Sequence, residues 1–229
     1  MPIWFQAIQG VSATDSGIRI LPVMISTILG TMGGGFVNMA IGYYTPLAIG
    51  GTCVVAIGSG LLTTLQPDSG IGKWFGYQVV YGLGFGFSFQ VPNLVAQTVL
   101  PQNDVPTGLA LMMFGSLIGP SIFVPIGQNV LANLLLDKLS WIPGFDSDLV
   151  TSGGVTSLLS SLPDALRDTA REQYNEALQR VFLIGVVPNC LSVIGAALLE
   201  WKSIKKEKKG EAPAEDPAST EEKGVEKTA

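Results

Sequence analysis

Long apolar stretches with almost no charge fill the first half of the chain. Between Ile20 and Leu136 only three side chains are charged, Asp68, Lys73 and Asp104, and each lies in a short polar gap. A hydrocarbon core penalises a charge at mid-span by about 2.5–3.5 kcal/mol on insertion scales, whereas a water-soluble domain needs charges on its solvated face. The pattern therefore predicts an integral membrane protein.

Five of the apolar stretches are long enough to cross a bilayer as helices, since a hydrocarbon core of about 30 Å needs roughly 20 mostly apolar residues. The predicted spans are Ile20–Ile41, Pro46–Leu65, Trp74–Leu100, Thr107–Leu135 and Val181–Trp201. The breaks between the first four are rich in Gly, Pro, Asn and Asp, which are typical of turns. The predicted fold class is an all-α membrane bundle of about five helices.

The polar segment 137–180 is predicted to be an extramembrane loop that contains an amphipathic helix. Ser161 and Asp164 fit a capping box, and Pro163 stands in the first turn, where its missing N–H costs nothing. Apolar side chains then recur at helical spacing, at Leu162, Leu166, Ala170, Tyr174 and Leu178. Either a connector on the rim of the bundle or a binding or gating element would give this pattern.

Lysines follow the last predicted span directly, at Lys202, Lys205, Lys206, Lys208 and Lys209. The positive-inside rule places such a cluster in the cytoplasm, so the C-terminus is predicted to be cytoplasmic and segment 137–180 to lie outside. Residues 202–229 balance seven lysines with seven acidic residues and contain few apolar side chains. They are predicted to form a disordered cytoplasmic tail.

Composition excludes several classes of function. The chain has no His, which removes the commonest metal ligand and general base, so neither an enzyme nor a metal or cofactor site is predicted. The net charge of −5 offers no basic face for nucleic acid. Both cysteines, Cys53 and Cys190, lie within apolar spans and do not suggest a disulfide framework.

Polar side chains inside the spans carry most of the functional information, because they are rare in lipid. Gln90, Asn93 and Gln97 recur at i, i+3 and i+7, on one face of a helix. Such a stripe faces either a neighbouring helix, to which it hydrogen-bonds, or a cavity through which a solute passes. The candidate substrate-binding residues are Gln78, Tyr81, Gln90, Asn93, Gln97, Phe114 and Gln128.

Glycines and prolines interrupt the third and fourth predicted spans. Small residues three or four apart let helix backbones touch, and Gly or Pro interruptions give the bends that rocking carriers use. Tight packing alone would also explain any single glycine. The candidate bend and packing positions are Gly82, Gly84, Gly86, Pro92, Gly115, Gly119 and Pro120.

As a set, the motifs resemble those of the fungal 14-span drug and toxin efflux carriers of the major facilitator superfamily. They are similar to pumps that export secondary metabolites such as aflatoxin and HC-toxin. The runs that carry the resemblance are Trp4–Ala13, Ser16–Pro22, Gly42–Pro46, Gly82–Gly86, Gln90–Pro92, Gln97, Thr107–Ala110, Ile126–Val130 and Asn133. The resemblance implies that this chain holds the last five spans, with the first, third and fourth beside the central cavity.

Two departures from the family pattern bear on function. Related carriers often have a basic residue just before the Gly-Tyr-Tyr turn, whereas Asn38–Ile41 carries no charge. A proton-driven carrier also needs a titratable group in the membrane. Apart from Glu200 at the edge of the fifth, the predicted spans contain no Asp, Glu, Lys, Arg or His. Any coupling residue is therefore expected in spans outside this chain.

Two functions remain open from the sequence. The first is efflux of small amphipathic organic molecules across the plasma membrane, coupled to protons in the full-length family. The second is a truncated, transport-inactive remnant, or an accessory membrane protein. The expected partners are the lipid bilayer, a small organic substrate, and either the missing N-terminal half or a full-length carrier.

Overall fold

The computed structural model describes residues 1–139, 162 and 164–201, and the regular elements in these ranges are helices. In chain order they are α1 (Pro2–Gln9), α2 (Ala13–Ile18), α3 (Leu21–Ile41), α4 (Thr45–Leu62), α5 (Ile71–Phe89), α6 (Val91–Val99), α7 (Val105–Leu139) and α8 (Asp164–Ala197). Five helical segments, of which one joins α5 and α6, are long and apolar enough to cross a membrane. The predicted class, a multi-pass all-α membrane protein, is confirmed.

The predicted boundaries need two corrections. The third span is not one helix, because α5 ends at Phe89 and α6 begins at Val91. The amphipathic helix predicted after Ser161 is present, and it is continuous with the fifth span predicted from Val181, so that the two form the single helix α8 from Asp164 to Ala197. The intervening residues are mostly good helix formers such as Ala, Arg, Gln and Glu, so nothing in them ends the helix. The predicted tail, 202–229, lies outside the described residues.

Pro92 explains the break between α5 and α6. A proline has no N–H to donate to the carbonyl four residues earlier, and its ring clashes with that carbonyl. The carbonyl concerned belongs to Ser88, in the last turn of α5. Gln90 then serves as the N-cap of α6, and its carbonyl accepts from the backbone N–H of Leu94 at 3.1 Å.

Close backbone contacts hold α5 between α3 and α4. Gly82 and Gly86 lie one turn apart on the face towards α3, and a Cβ on either would collide with backbone carbonyls of that helix. Gly84 lies on the opposite face, where a Cβ would come within 2.6 Å of the Val55 nitrogen in α4. The alternating glycines therefore let α5 approach both neighbours at once.

The remaining helices pack around this three-helix layer. α8 lies along α4 and also contacts α7, while α6 packs against α7. The link from α3 to α4 is tight because Gly42 adopts a left-handed conformation with φ of 77°, and its N–H donates to the Asn38 carbonyl at 2.8 Å. α4 begins three residues later.

At one end of the bundle, here called the Trp4 end, the buried side chain of Asn175 joins three segments. Its Oδ1 accepts from the Trp4 indole at 2.8 Å, and its Nδ2 donates to the Leu65 carbonyl at 3.1 Å. Phe5 packs edge-on against Trp74, with ring centroids 5.1 Å apart, and the Arg19 guanidinium lies over both rings. These contacts anchor α1 to α5 and α8.

At the opposite end, here called the Tyr44 end, hydrogen bonds fasten the start of α4 to the residues after α8. The Tyr44 hydroxyl donates to the Glu200 carbonyl at 2.6 Å, and the Thr45 hydroxyl donates to the same carbonyl at 3.3 Å. Tyr44 is fully buried with Ala48, Val91 and Ala196. Because the Trp4 end is also fastened, α4 and α8 are joined at both ends.

Large apolar side chains remain exposed on the outer helices, most of all on α7. They include Leu111, Met113, Phe114, Leu117, Ile122 and Val124, each at least 52% exposed. In water such a surface would be costly at about 25 cal/mol per Å² of apolar area. Acyl chains or further helices are its suitable cover.

A pair of glycines in α4 tests the packing against α5. A Cβ on Gly58 would lie 2.7 Å from the Tyr81 Cα, whereas one on Gly60 would meet nothing within 4 Å. We expect Gly58→Ala to destabilise the chain by about 1–3 kcal/mol through overpacking, and Gly60→Ala to have no such cost. Thermal unfolding of both variants in lipid nanodiscs measures this, and equal midpoints would contradict the packing described.

Asn175→Leu tests the junction at the Trp4 end. The substitution leaves the buried Trp4 indole N–H without its acceptor, and we expect it to cost about 1–3 kcal/mol of unfolding free energy. Asn133→Leu is the matched control, because Asn133 is exposed on α7. The free energies come from denaturation in mixed micelles. A loss no larger for Asn175→Leu than for the control would show that the junction is not stabilising.

Candidate functional site

A large apolar recess lies towards the Tyr44 end, between α4, α5, α6, α7 and α8. It has a volume of about 600 Å³ and is here called the Asn93 groove. Aromatic and thioether side chains supply much of its wall, at Phe85, Phe89, Met112 and Met113. No Asp, Glu, Lys or Arg side chain lines it. Its surface suits the apolar body of a small organic molecule.

Two carboxamides are the free polar groups of this groove. Hydroxyls on its wall are already used within their own helices, as where Ser116 donates to the Met113 carbonyl at 2.7 Å and Ser192 to the Asn189 carbonyl at 2.6 Å. The side chains of Asn93 and Asn189 line the groove and make no hydrogen bond within the described part of the chain. They remain available to a ligand.

A second recess, of about 380 Å³, lies between α3, α4, α5 and α8 and is here called the Gln78 cavity. Gln78 and Tyr81 of α5 line it, together with Asn189, which also borders the Asn93 groove. Gln78 is 1% exposed and donates through Nε2 to the Arg19 carbonyl at 2.9 Å. Its Oε1 is buried and has no hydrogen-bond partner. An unpaired buried acceptor costs about 1–3 kcal/mol.

The candidate substrate-binding residues therefore occupy different surroundings. Gln78 and Tyr81 line one recess and Asn93 lines the other. The others are exposed and border neither recess, namely Gln90, Gln97, Phe114 and Gln128. The stripe predicted on one helix thus begins at an N-cap, and only its middle member lines the Asn93 groove. Whether these residues contact a substrate stays a prediction.

The candidate bend and packing residues also differ among themselves. Gly82, Gly84 and Gly86 lie in close helix contacts, and Pro92 follows the break after α5. By contrast, α7 continues through Pro120, and a Cβ on Gly115 or Gly119 would meet no atom within 4 Å. The contacts of these two glycines in a complete carrier stay a prediction.

Asn189 is a site residue that the polar pattern of the sequence does not single out. It is one of only two polar side chains, with Ser192, in the apolar run that follows Val181. The signal that could have found it is its place directly after Pro188, since proline inside a membrane helix often accompanies a functional interruption. In the structure α8 continues through Pro188 and places Asn189 between the two recesses.

The chain is similar in sequence to transporters from several fungi. Over 95% of its length the chain is 47% identical to an MFS-type transporter of Claviceps purpurea. It is 46% identical over 98% of its length to the MFS-type transporter dmxR4 of Cryptosporiopsis sp.. The chain is homologous to the fungal MFS-type transporters. The resemblance to the major facilitator superfamily that the motifs predicted is confirmed.

The match covers only part of each relative. The chain spans 38% of the Claviceps protein, 40% of the Cryptosporiopsis protein and 38% of the efflux pump roqT of Penicillium rubens, to which it is 42% identical. These shares agree with the predicted match to five of fourteen spans. No family model matches the chain.

Gly195→Leu tests whether the Asn93 groove of this transporter homologue binds apolar molecules. Gly195 lines the groove and a Cβ there would meet no atom within 4 Å, so a leucine takes up groove volume without a clash. We expect saturable binding of Nile red to the chain in nanodiscs to weaken at least about fivefold, the equivalent of roughly 1 kcal/mol. Gly50→Leu, equally free of contacts but outside the groove, is the control. Equal affinities of the two variants would contradict a ligand site in the groove.

Proposed function

We propose that the chain is part of a carrier that exports small amphipathic organic molecules from the cell. The observation that carries the proposal is the Asn93 groove, an apolar recess of about 600 Å³ with free carboxamides at Asn93 and Asn189. Apolar walls with a few placed polar groups suit neutral, bulky molecules. Relatives named as efflux pumps support the direction of transport.

The proposed binding residues extend beyond the groove. Gln90 is the N-cap of α6 and Gln97 lies one turn after Asn93, while Phe114 and Gln128 lie on the exposed α7. Exposed carboxamides are unfavourable against acyl chains, and each unsatisfied polar group there costs several kcal/mol. We assign this surface to a water-filled cavity that the rest of the carrier completes.

The proposed energy source is a proton gradient, and the coupling group is placed outside this chain. No Asp or Glu side chain lines the Asn93 groove or the Gln78 cavity. Proton coupling in a membrane requires a titratable group that the transport cycle exposes in turn to each side. In this proposal the chain binds the substrate and other spans move the proton.

The proposed setting is the plasma membrane with the C-terminus in the cytoplasm. Residues 1–201 form part of the transporter domain and residues 202–229 form a cytoplasmic tail. The lysines after Trp201 support this orientation through the positive-inside rule. The Trp4 end of the bundle then faces outwards and the Tyr44 end faces the cytoplasm.

A chimaera tests the export function. The matching segment of the 46% identical Cryptosporiopsis transporter is replaced by this chain, and accumulation of rhodamine 6G is measured in yeast that lacks its own drug pumps. We expect lower accumulation than in cells without the chimaera. With Gln90→Leu and Asn93→Leu combined, accumulation should be at least about fivefold higher than with the unaltered chimaera. The reason is that two hydrogen bonds to the substrate, of roughly 0.5–1.5 kcal/mol each, are lost.

The control for this experiment is Asn103→Leu, which alters an exposed carboxamide in the turn between α6 and α7, outside both recesses. Unchanged export by the double variant would mean that the two carboxamides do not bind the substrate. A chimaera that reaches the plasma membrane but exports nothing would instead support the alternative, an inactive remnant or accessory protein. This alternative is supported by the observation that the chain matches only 38% of the Claviceps protein.

A pH-sensitive fluorescent protein fused after Ala229 tests the orientation. With a cytoplasmic C-terminus, its emission should not respond when the medium of intact cells is acidified, because the plasma membrane separates the two. Adding a protonophore should then quench it. Immediate quenching by acid alone would place the C-terminus outside and reverse the proposed orientation.

A further inference from the structure

We propose that Phe85 and Phe89 make the Asn93 groove selective for molecules that carry a flat aromatic ring system with a polar edge. The inference rests on the proposed function, because it names the class of substrate that the groove takes. What carries it is a row of aromatic side chains, Tyr81, Phe85 and Phe89. They recur every fourth residue and therefore lie on one face of α5.

The rings of this row contact one another. The Tyr81 and Phe85 rings are stacked, with centroids 6.3 Å apart and an angle of 9° between their planes. The Phe85 and Phe89 centroids are 5.6 Å apart, and these two planes are tilted by 41°. Aromatic pairs attract each other at centroid separations of about 4.5–7 Å. The contacts therefore restrict the orientations of the two phenylalanine rings before a ligand binds.

The two phenylalanine rings are only partly covered by the protein. Phe85 is 41% exposed and Phe89 is 56% exposed. Both side chains border the Asn93 groove, and both also border a recess of about 250 Å³ between α3 and α5, here called the α3 recess. Each ring thus has free surface for a ligand in either recess.

Hydrogen-bonding groups distinguish the two recesses. The polar side chains that line the α3 recess are Thr27 and Thr31, and their hydroxyls donate to the Val23 and Thr27 carbonyls at 2.7 and 2.9 Å. In the groove, the side chains of Asn93 and Asn189 make no hydrogen bond within the described part of the chain. Of the two recesses, the groove alone combines an aromatic wall with free carboxamides.

The wall that α7 contributes to the groove also suits an aromatic ligand. Met112 and Met113 line the groove from this helix, and thioether sulfur makes favourable contacts with aromatic rings. Ring pairs add attraction beyond the apolar area that they bury. A saturated molecule of the same shape would bury a similar area but would gain neither contact. The groove should therefore discriminate by aromaticity and not by size alone.

The experiment compares two probes that share a carbon skeleton and a hydroxymethyl group but differ in aromaticity. Binding of 2-naphthalenemethanol and of decahydro-2-naphthalenemethanol is measured by equilibrium dialysis against the unaltered chain in phosphatidylcholine nanodiscs. Empty nanodiscs give the partition background. We expect saturable binding of the aromatic alcohol, at least about threefold tighter than that of the saturated one.

Substitution of the rings tests their role. Combining Phe85→Leu with Phe89→Leu keeps apolar side chains but removes both rings, so the two probes should then bind equally. Phe85→Tyr with Phe89→Tyr retains the rings and should retain the preference. The matched control combines Phe36→Leu with Phe123→Leu, which alters two exposed rings outside both recesses. Phe89→Leu alone, at the end of α5, should lower the preference and serves if the double variant does not fold.

Gly195→Leu distinguishes the two recesses. Gly195 lines the groove but not the α3 recess, and a Cβ there would meet no atom within 4 Å. We expect this variant to weaken binding of the aromatic alcohol at least about fivefold, because leucine takes up space in the groove.

Three outcomes would overturn the proposal. The first is equal affinity of the two probes for the unaltered chain, or no saturable binding of the aromatic one. The second is a preference that survives removal of the rings in a variant shown to be folded by circular dichroism. The third is aromatic binding unaffected by Gly195→Leu, which would place the ligand in the α3 recess.

These outcomes are separate from those of the export experiment. A chimaera that exports while the two probes bind equally would leave the carrier in place and remove only the aromatic substrate class. An aromatic preference without export would instead show a selective ligand site in a chain that does not transport.

Discussion

The fold depends on the close approach of α5 to the helices on either side of it. In lipid there is no hydrophobic force between helices, so association rests on van der Waals contact and on hydrogen bonds. Gly82 and Gly86 meet the backbone of α3, while Gly84 meets that of α4. Gly58 of α4 and Gly30 of α3 in turn lie against the backbone of α5. A side chain at any of these positions would separate backbones that are now in contact.

Both recesses are consequences of this arrangement. Since α5 is fixed between α3 and α4, its polar side chains have set positions, with Gln78 in the half nearer the Trp4 end and Ser88 next to the Tyr44 end. α8 runs along α4 past both recesses and contributes Asn189, which lines both of them. The hydrogen bonds at Asn175 and Tyr44 keep α8 in register with α4. Both recesses therefore lie beside α4 and α8, two helices that are joined at both ends.

The sequence predicts the spans well and the surroundings of their side chains poorly. Four of the five predicted spans begin within three residues of the helix that forms, because the apolar runs end at strong turn signals. The short helix α1 was missed, although Pro2 at its start, Gly10 after its end and apolar residues at positions 4, 5 and 8 are all ordinary helix signals. With eight residues, α1 is far shorter than the roughly 20 residues of a membrane span, so a search for long apolar runs does not find it.

The candidate site could be predicted only in part, for a physical reason. Helical periodicity predicts which side chains share a face, as it does for Gln90, Asn93 and Gln97, of which the first is the N-cap of α6. It does not show which neighbour covers that face. The separation of Gln78 from Asn93, and the role of Asn189 between their recesses, follow from contacts between helices distant in sequence. Such contacts depend on which glycines meet which backbones.

The central claim, that the backbone of α5 lies against that of α3, is tested most directly by solid-state NMR. The chain is labelled with ¹³C at the glycine Cα and the threonine carbonyl positions and is reconstituted in lipid. Gly86 lies against the carbonyl of Thr27, so the account predicts a carbon–carbon cross-peak between these two residues. Its absence, with both resonances assigned and the chain folded, would contradict the account.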